Sequence, residues 1–101
     1  MELIIRRRAA YAIQEIFARY EGEQPGLGFE FLSCIEAATS AIARSPETSP
    51  KFYLEFRRRC LRRFPYLLCY RVFDSFVALC MVFHANRNPG ELYALLEDSG
   101  A

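Results

Sequence analysis

The chain has 101 residues, of which 52% are hydrophobic and 15% aromatic, and its formal net charge is +1. This length supports one hydrophobic core but not two, so we predict a single domain over residues 1–101. The many aromatic residues and the small net charge exclude an intrinsically disordered chain.

The positive charge is concentrated in one segment. Residues 51–71 contain seven basic residues and one acidic residue, whereas the segments before and after them are net acidic. Such a local positive field can attract an anionic partner even when the whole protein is nearly neutral.

The cysteines, the histidine and the N-terminal residues indicate whether to expect a metal and in which cellular compartment. The single histidine and the four cysteines lack the spacing of a zinc site, so we predict no metal and no cofactor. Charges at Glu2 and at residues 6–8 interrupt the early apolar run, which predicts no signal peptide. No run approaches the roughly 18 apolar residues of a membrane span. We therefore expect a cytoplasmic protein with reduced thiols and no membrane partner.

The first half of the chain predicts one strand and two helices. Residues 3–5 form a short run typical of an opening strand. Apolar residues at helical spacing then run from Ala9 to Tyr20, and again from Phe31 to Ile42. Breaker residues at 23–26 separate the two patterns, and Ser45-Pro46 ends the second. Two amphipathic helices with a short connection indicate an antiparallel helical hairpin.

The second half of the chain predicts strands followed by a short helix. Residues 52–57 alternate between apolar and polar, a turn follows at 62–65, and residues 66–73 form the next strand. Asp74-Ser75 is the expected hairpin turn before the nearly all-apolar strand 76–83. Residues 86–90 break the pattern, and residues 91–98 are expected to be helical.

This order of elements predicts an α+β fold. An N-terminal strand and an antiparallel helical hairpin precede a three-stranded antiparallel meander that completes the sheet, and a short C-terminal helix follows. Helices collected on one side of a largely antiparallel sheet bury that side, so we expect the other face of the sheet to be open.

The arginine run is the densest candidate for binding. Guanidinium groups keep their charge and match phosphate or carboxylate oxygens. On a strand, Arg57 and Arg59 share one face and Arg58 points to the other. The alternative is an edge strand that charge keeps soluble.

His84 and Arg87 are the candidates for catalysis. A histidine can transfer protons near neutral pH, and an arginine can stabilise the negative charge that develops when RNA is cleaved. The alternative is that His84 only bonds to backbone at the strand end. Cys80 shares the strand parity of His84 but lies about 13 Å away by strand rise, too far for a Cys–His pair.

Tyr66, Tyr70 and Tyr93 are candidates for stacking on bases. At strand spacing, Tyr66 and Tyr70 are more typical of a core, and we assign them there. Tyr93 keeps the stacking interpretation, and Tyr53 is left undecided.

Three motifs, in the same order and at the same spacing, resemble the RelE/ParE family of bacterial toxins. These are Pro25-Gly26-Leu27-Gly28 followed by Phe31-Leu32, the run from Arg62-Arg63-Phe64-Pro65-Tyr66 to Tyr70-Arg71-Val72, and Val82-Phe83-His84 with Arg87 and Pro89. The resemblance extends from about Ile5 to Leu92. It implies the α+β fold described above and the toxin role of a type II toxin–antitoxin system. A cognate antitoxin would neutralise the chain in a hetero-oligomer.

The resemblance leaves the target open. ParE-like members inhibit DNA gyrase and serve in plasmid stabilisation and growth inhibition, and the first two motifs favour this subgroup. RelE-like members are ribosome-dependent mRNA endoribonucleases, for which Arg59, Arg63, His84 and Arg87 are the possible catalytic residues. A third alternative is a non-toxic member that only binds its antitoxin.

The resemblance also suggests residues for binding. Contact with the target or the antitoxin would fall on the basic residues Arg57, Arg59, Arg62, Arg63 and Arg71. We expect the arginine segment and His84 to meet on an uncovered surface of the sheet.

Overall fold

The computed structural model describes residues 1–98. Its elements in chain order are β1 (Glu2–Ile5), α1 (Arg7–Glu23), α2 (Leu27–Arg44), β2 (Lys51–Tyr53), β3 (Phe56–Cys60), β4 (Tyr66–Val72), β5 (Phe76–His84) and α3 (Pro89–Asp98). The predicted α+β class is confirmed, with the opening strand, the helical hairpin, the sheet and the short last helix. Within the described range, no helix has the length and hydropathy that crossing a membrane requires.

The five strands form one sheet in the order β1-β5-β4-β3-β2. Strands β2 to β5 are antiparallel neighbours, as expected for a meander. Strand β1 lies parallel to β5, with Leu3 opposite Val77, and therefore forms one edge of the sheet.

The meander has one strand more than the three that the sequence predicted. The alternating segment 52–57 is divided between β2 and β3, because Leu54 adopts a left-handed backbone with φ 50° and Tyr53 pairs with Phe56 across a tight turn. Non-glycine residues rarely adopt this conformation. A regular alternation of apolar side chains therefore concealed the turn.

The helical hairpin covers one face of the sheet, which we call the hairpin face. Phe31, Ile35 and Ile42 recur at helical spacing along α2 and are buried. They belong to one hydrophobic cluster with strand residues that include Leu68 and Leu79. This cluster is the main core of the molecule.

The opposite face, which we call the α3 face, is covered in part by the last helix. Leu92 and Leu96 of α3 are buried in a second cluster, which also contains Phe56, Leu67 and Phe83. The expectation of an open face was therefore wrong for this area. The apolar residues on both sides of β4 and β5 are the physical reason, because one helical layer covers only one side.

A register shift in β5 decides which face the end of that strand presents. Cys69 pairs with Met81 and Tyr70 pairs with Leu79, so Cys80 has no partner in β4. Such a bulge changes the alternation of side chains beyond it. His84 pairs with Tyr66, a residue of the hairpin-face cluster, whereas Cys80 belongs to the α3-face cluster. The shared parity that the sequence predicted for Cys80 and His84 was wrong.

Candidate functional site

The arginines of the basic segment are divided between the two faces of the sheet. Arg57 pairs with Tyr70 and Arg59 pairs with Leu68, and both partners lie on the hairpin face. Arg58 pairs with Cys69, which lies on the α3 face. The predicted alternation is therefore confirmed.

Arg57 binds its own backbone. Its Nη1 donates hydrogen bonds to the carbonyl oxygens of Ser49 at 2.6 Å and Glu47 at 3.2 Å. Hydrogen bonds from a charged donor are stronger than neutral ones. The guanidinium thus fixes the loop between α2 and β2, and its donors on that side are occupied.

Arg63 lies in the loop between β3 and β4 and forms an ion pair. Its Nη2 donates to Oε1 of Glu30 on α2 at 2.6 Å. The bond to this carboxylate raises the pKa of Arg63 above its usual value. Arg63 also adopts a left-handed backbone, with φ 73°. Its charge is therefore partly neutralised within the protein.

Arg59 and Arg62 differ from these two residues because their guanidinium groups have no partner within residues 1–98. Both line a groove of about 240 Å³ between α2 and the end of β3, which we call the α2 groove. Arg44, at the last turn of α2, lines the same groove and likewise has no partner in the described part of the chain. Three arginines thus surround one cleft.

Arg71 lies on the other side of the molecule. It pairs with Phe56 and Ala78, both in the α3-face cluster, and its guanidinium lies 4.9 Å from the ring centre of Phe73. A ligand held by Arg59 and Arg62 would therefore not reach it through the sheet.

His84 and Arg87 line a second groove, of about 470 Å³, between α1 and the end of β5, which we call the α1 groove. Four polar residues of α1 also line it, and sequence reasoning missed them: Arg8, Tyr11, Glu15 and Arg19. Their spacing of three or four residues marks one stripe of the helix, beside the apolar stripe. That spacing is the pattern that would have identified them.

The cations of the α1 groove are bound within the protein. Arg8 donates to the carbonyl oxygen of Leu95 at 2.9 Å, and Arg87 forms an ion pair with Glu91 at 3.2 Å. Arg19 approaches the hydroxyl of Tyr66 at 3.4 Å. Each cation therefore has a structural partner.

His84 is held as a hydrogen-bond acceptor at Nδ1. The backbone N–H of Asn86 donates to this atom at 3.1 Å, and the imidazole ring lies edge to face with Tyr66 at 5.2 Å. An accepting Nδ1 places the proton of the neutral ring on Nε2. In this arrangement Nε2 can donate a hydrogen bond, and Nδ1 is occupied by the N–H of Asn86. This geometry agrees with the alternative interpretation, in which His84 bonds to backbone at the end of the strand.

The expected meeting of the arginine segment and His84 on an uncovered surface was wrong. Arg59 and His84 both lie on the hairpin face, but β4 separates their strands, and within residues 1–98 no residue lines both grooves. Because the helical hairpin covers the space between, the sheet presents no common open surface there.

The tyrosines serve mainly as structure. Tyr66 and Tyr70 are 7% and 1% exposed, which confirms their predicted place in the core. Tyr93 stacks on Tyr53 with ring centres 4.2 Å apart, so one face of each ring is covered by the other. Across residues 1–98, no group of three histidine, cysteine or acidic side chains is placed to hold a metal ion.

Comparisons with known proteins identify the fold. No protein-family model matches the sequence, and no curated protein sequence matches it significantly. Among solved structures, the chain is similar to a chain of the chromosomal ParDE toxin–antitoxin system from P. aeruginosa, with a TM-score of 0.76 and 18% identity. The likeness covers 85% of this chain and 97% of the other. It confirms the fold that the sequence motifs implied.

Proposed function

We propose that this protein is the toxin of a type II toxin–antitoxin system and is neutralised in a hetero-oligomer by a cognate antitoxin. The fold shared with a chain of the ParDE system carries the proposal. The three sequence motifs, which extend from about Ile5 to Leu92, also support it. We place the complex in the cytoplasm.

Within this class, we propose ParE-like inhibition of DNA gyrase through protein contacts. The geometry of the nuclease candidates favours it over catalysis. His84 accepts a backbone hydrogen bond at the nitrogen that a general base would need free, and Arg87 is paired with Glu91. Arg59 lines the α2 groove and Arg63 is paired with Glu30, so neither of them lines the α1 groove together with His84 and Arg87.

The basic residues divide into two roles under this proposal. Arg59 and Arg62 contact the partner, because their guanidinium groups remain available. Arg57 and Arg63 act mainly by holding loops, and Arg71 would meet a different part of any partner that wraps the protein.

Gyrase supercoiling and cleavage assays with the purified chain test the proposed target. We expect inhibition of supercoiling with accumulation of cleaved DNA–gyrase complexes, and relief of both when the antitoxin is added. The antitoxin would be sought in the neighbouring reading frame, as a short protein with a DNA-binding head and a charged tail. If expression of the chain alone leaves growth unchanged, the protein only binds its antitoxin and the proposed toxin activity is wrong.

The ribosome-dependent nuclease remains the second candidate, because His84 and Arg87 line the same groove. Primer extension on mRNA from expressing cells decides between the two. Growth arrest by His84→Ala and Arg87→Ala variants, without new mRNA ends, supports the gyrase proposal. Loss of arrest together with loss of mRNA cleavage in these variants establishes the nuclease.

A further inference from the structure

The α2 groove combines unpaired positive charge with a floor of small side chains. Arg44, Arg59 and Arg62 line it, and none of the three makes a hydrogen bond or ion pair with another residue of the described range 1–98. No acidic side chain among those residues lines it. By contrast, the cations of the α1 groove are bound to carbonyl, hydroxyl or carboxylate groups.

The floor of the groove is one stripe of α2. Cys34, Ala37 and Ala41 recur at intervals of three and four residues and therefore lie on one side of the helix. From Cys34 to Arg44 the stripe is about 15 Å long, at the usual helical rise. Because these side chains are short, the backbone and small side chains of another segment can approach the helix closely.

We propose that the α2 groove binds an acidic polypeptide segment, with the small side chains of that segment against α2 and its carboxylates on Arg44, Arg59 and Arg62. Guanidinium groups bind carboxylates through paired, charge-assisted hydrogen bonds. Three cations around a stripe about 15 Å long match two or three acidic residues of a short helical or extended segment.

The chemistry of the groove favours a polypeptide over a nucleic acid. Single-stranded nucleic acids bind where aromatic side chains stack on bases beside the positive charge. In the described part of the chain, no aromatic ring lines this groove. The floor is instead alanine and cysteine, which offers an apolar surface to methyl and methylene groups.

This inference deepens the proposed function, because it identifies the chemistry of the partner that Arg59 and Arg62 would contact. It requires no assumption about gyrase or growth arrest. The two proposals can therefore fail separately. Peptide binding without growth arrest would uphold the groove and overturn the toxin activity, and growth arrest without peptide binding would do the reverse.

The direct test uses a fluorescein-labelled peptide of alternating glutamate and alanine and measures its anisotropy against the full chain. The matched peptide has lysine in place of glutamate. We expect saturable binding of the glutamate peptide that weakens with salt, and none of the lysine peptide. Equal binding of both peptides, or no binding of the acidic one, overturns the proposal.

The adjacent residues Arg58 and Arg59 provide a matched pair of variants. Arg59→Glu and Arg58→Glu change the net charge equally, but only Arg59 lines the groove. We expect Arg59→Glu to weaken binding about tenfold or more, as for loss of a charge-assisted hydrogen bond, and Arg58→Glu to leave it unchanged. Equal losses of affinity in the two variants would show that nonspecific electrostatic attraction, and not the groove, binds the peptide.

Two further variants keep the test decisive if Arg59→Glu does not fold. Arg62 is exposed, and Arg62→Glu should weaken binding by a similar factor without unfolding the protein. Ala37→Gln places a larger side chain on the floor of the α2 groove. Ser40→Gln makes the same kind of change at another exposed position of α2 and is its control. Binding that survives Arg62→Glu and Ala37→Gln overturns the proposal, as does tighter binding of a single-stranded oligonucleotide that depends on Arg62.

Discussion

Glu21 and Gly28 meet where the two helices of the hairpin turn. Oε1 of Glu21 accepts a hydrogen bond from the backbone N–H of Gly28 at 3.0 Å. A Cβ added at Gly28 would lie only 2.9 Å from the Cβ of Glu21. Close approach and helix capping are thus combined at this pair of residues, and each can be tested by its own substitution.

Gly28→Ala should lower the free energy of unfolding by about 1–3 kcal/mol, the usual cost of overpacking. The new methyl group would lie 2.7 Å from the carbonyl oxygen of Phe17. That oxygen is backbone of α1, so the two helices must separate to relieve the overlap. Chemical denaturation measures the change.

Gly22→Ala is the control for this substitution. No atom of residues 1–98 lies within 4 Å of a Cβ built at Gly22, which is an exposed residue of α1. Because alanine favours a helix over glycine, we expect a gain of about 0.5–1 kcal/mol. Equal destabilisation by the two substitutions would contradict the close approach at Gly28.

Glu21→Ala should lower the free energy of unfolding by about 1–2 kcal/mol, as removal of a helix cap does. The N-cap residue of α2, Gly26, has no side chain to supply this bond. The Glu21 carboxylate instead accepts bonds from the N–H groups of Gly26 and Gly28 at the positive end of the helix. Denaturation of Glu21→Ala beside Glu23→Ala measures the difference. A loss no greater than that of Glu23→Ala would exclude this capping role.

The hydrogen bond made by Tyr53 predicts that the packing of α3 against the sheet depends on pH. Its hydroxyl donates to Oε1 of Glu97 at 2.5 Å. This bond, aided by partial burial and the charge of Glu97, raises the pKa of Tyr53 above its usual value of 10.0. A raised pKa in the folded state means that the stabilisation is complete below pH 10.0 and is lost as the pH rises through the folded-state pKa.

Tyr53→Phe keeps the ring stacked on Tyr93 but removes this bond. We therefore expect the free energy of unfolding of the variant to fall less at alkaline pH than that of the unsubstituted protein. We also expect faster amide hydrogen exchange in α3 at neutral pH. Tyr11→Phe, which alters an exposed ring of α1, is the control. Unchanged exchange in α3 would show that the bond does not hold the helix.

The four cysteines should react in a fixed order with iodoacetamide. Burial raises the pKa of Cys80 to about 11 and raises that of Cys69 further, so neither forms a thiolate near neutral pH. Cys60 is exposed and Cys34 is half-buried. Peptide mass spectrometry of the native protein should find Cys60 modified first and Cys34 later. Cys69 and Cys80 should react only after denaturation, and their labelling at the rate of Cys60 would contradict the buried core.

The helices and the last hairpin were predictable because their signals are local. Apolar residues such as Phe31 and Ile35 recur at helical spacing, and Asp74-Ser75 separates two apolar runs. The turn at Leu54 was not predictable, since it contains no glycine or asparagine. The bulge at Cys80 was hidden because residues 76–83 are nearly all apolar, and an unbroken apolar run does not show which side chains change face.

The candidate site was predictable in its residue types but not in its grouping. Strand alternation correctly separated Arg58 from Arg57 and Arg59. Whether an arginine is occupied depends on distant residues, however, such as Glu30, which lies 33 positions before its partner Arg63. The polar stripe of α1 was overlooked because its importance arises only when the end of β5 lies beside it.

The parallel pairing of β1 with β5 has a consequence for synthesis on the ribosome. Residues Glu2–Ile5 hydrogen-bond to a strand that begins at Phe76, so this edge of the sheet cannot assemble until β5 has left the exit tunnel. Contacts between such distant segments slow folding. The nascent chain therefore passes through a period in which its helices can form while the completed sheet cannot.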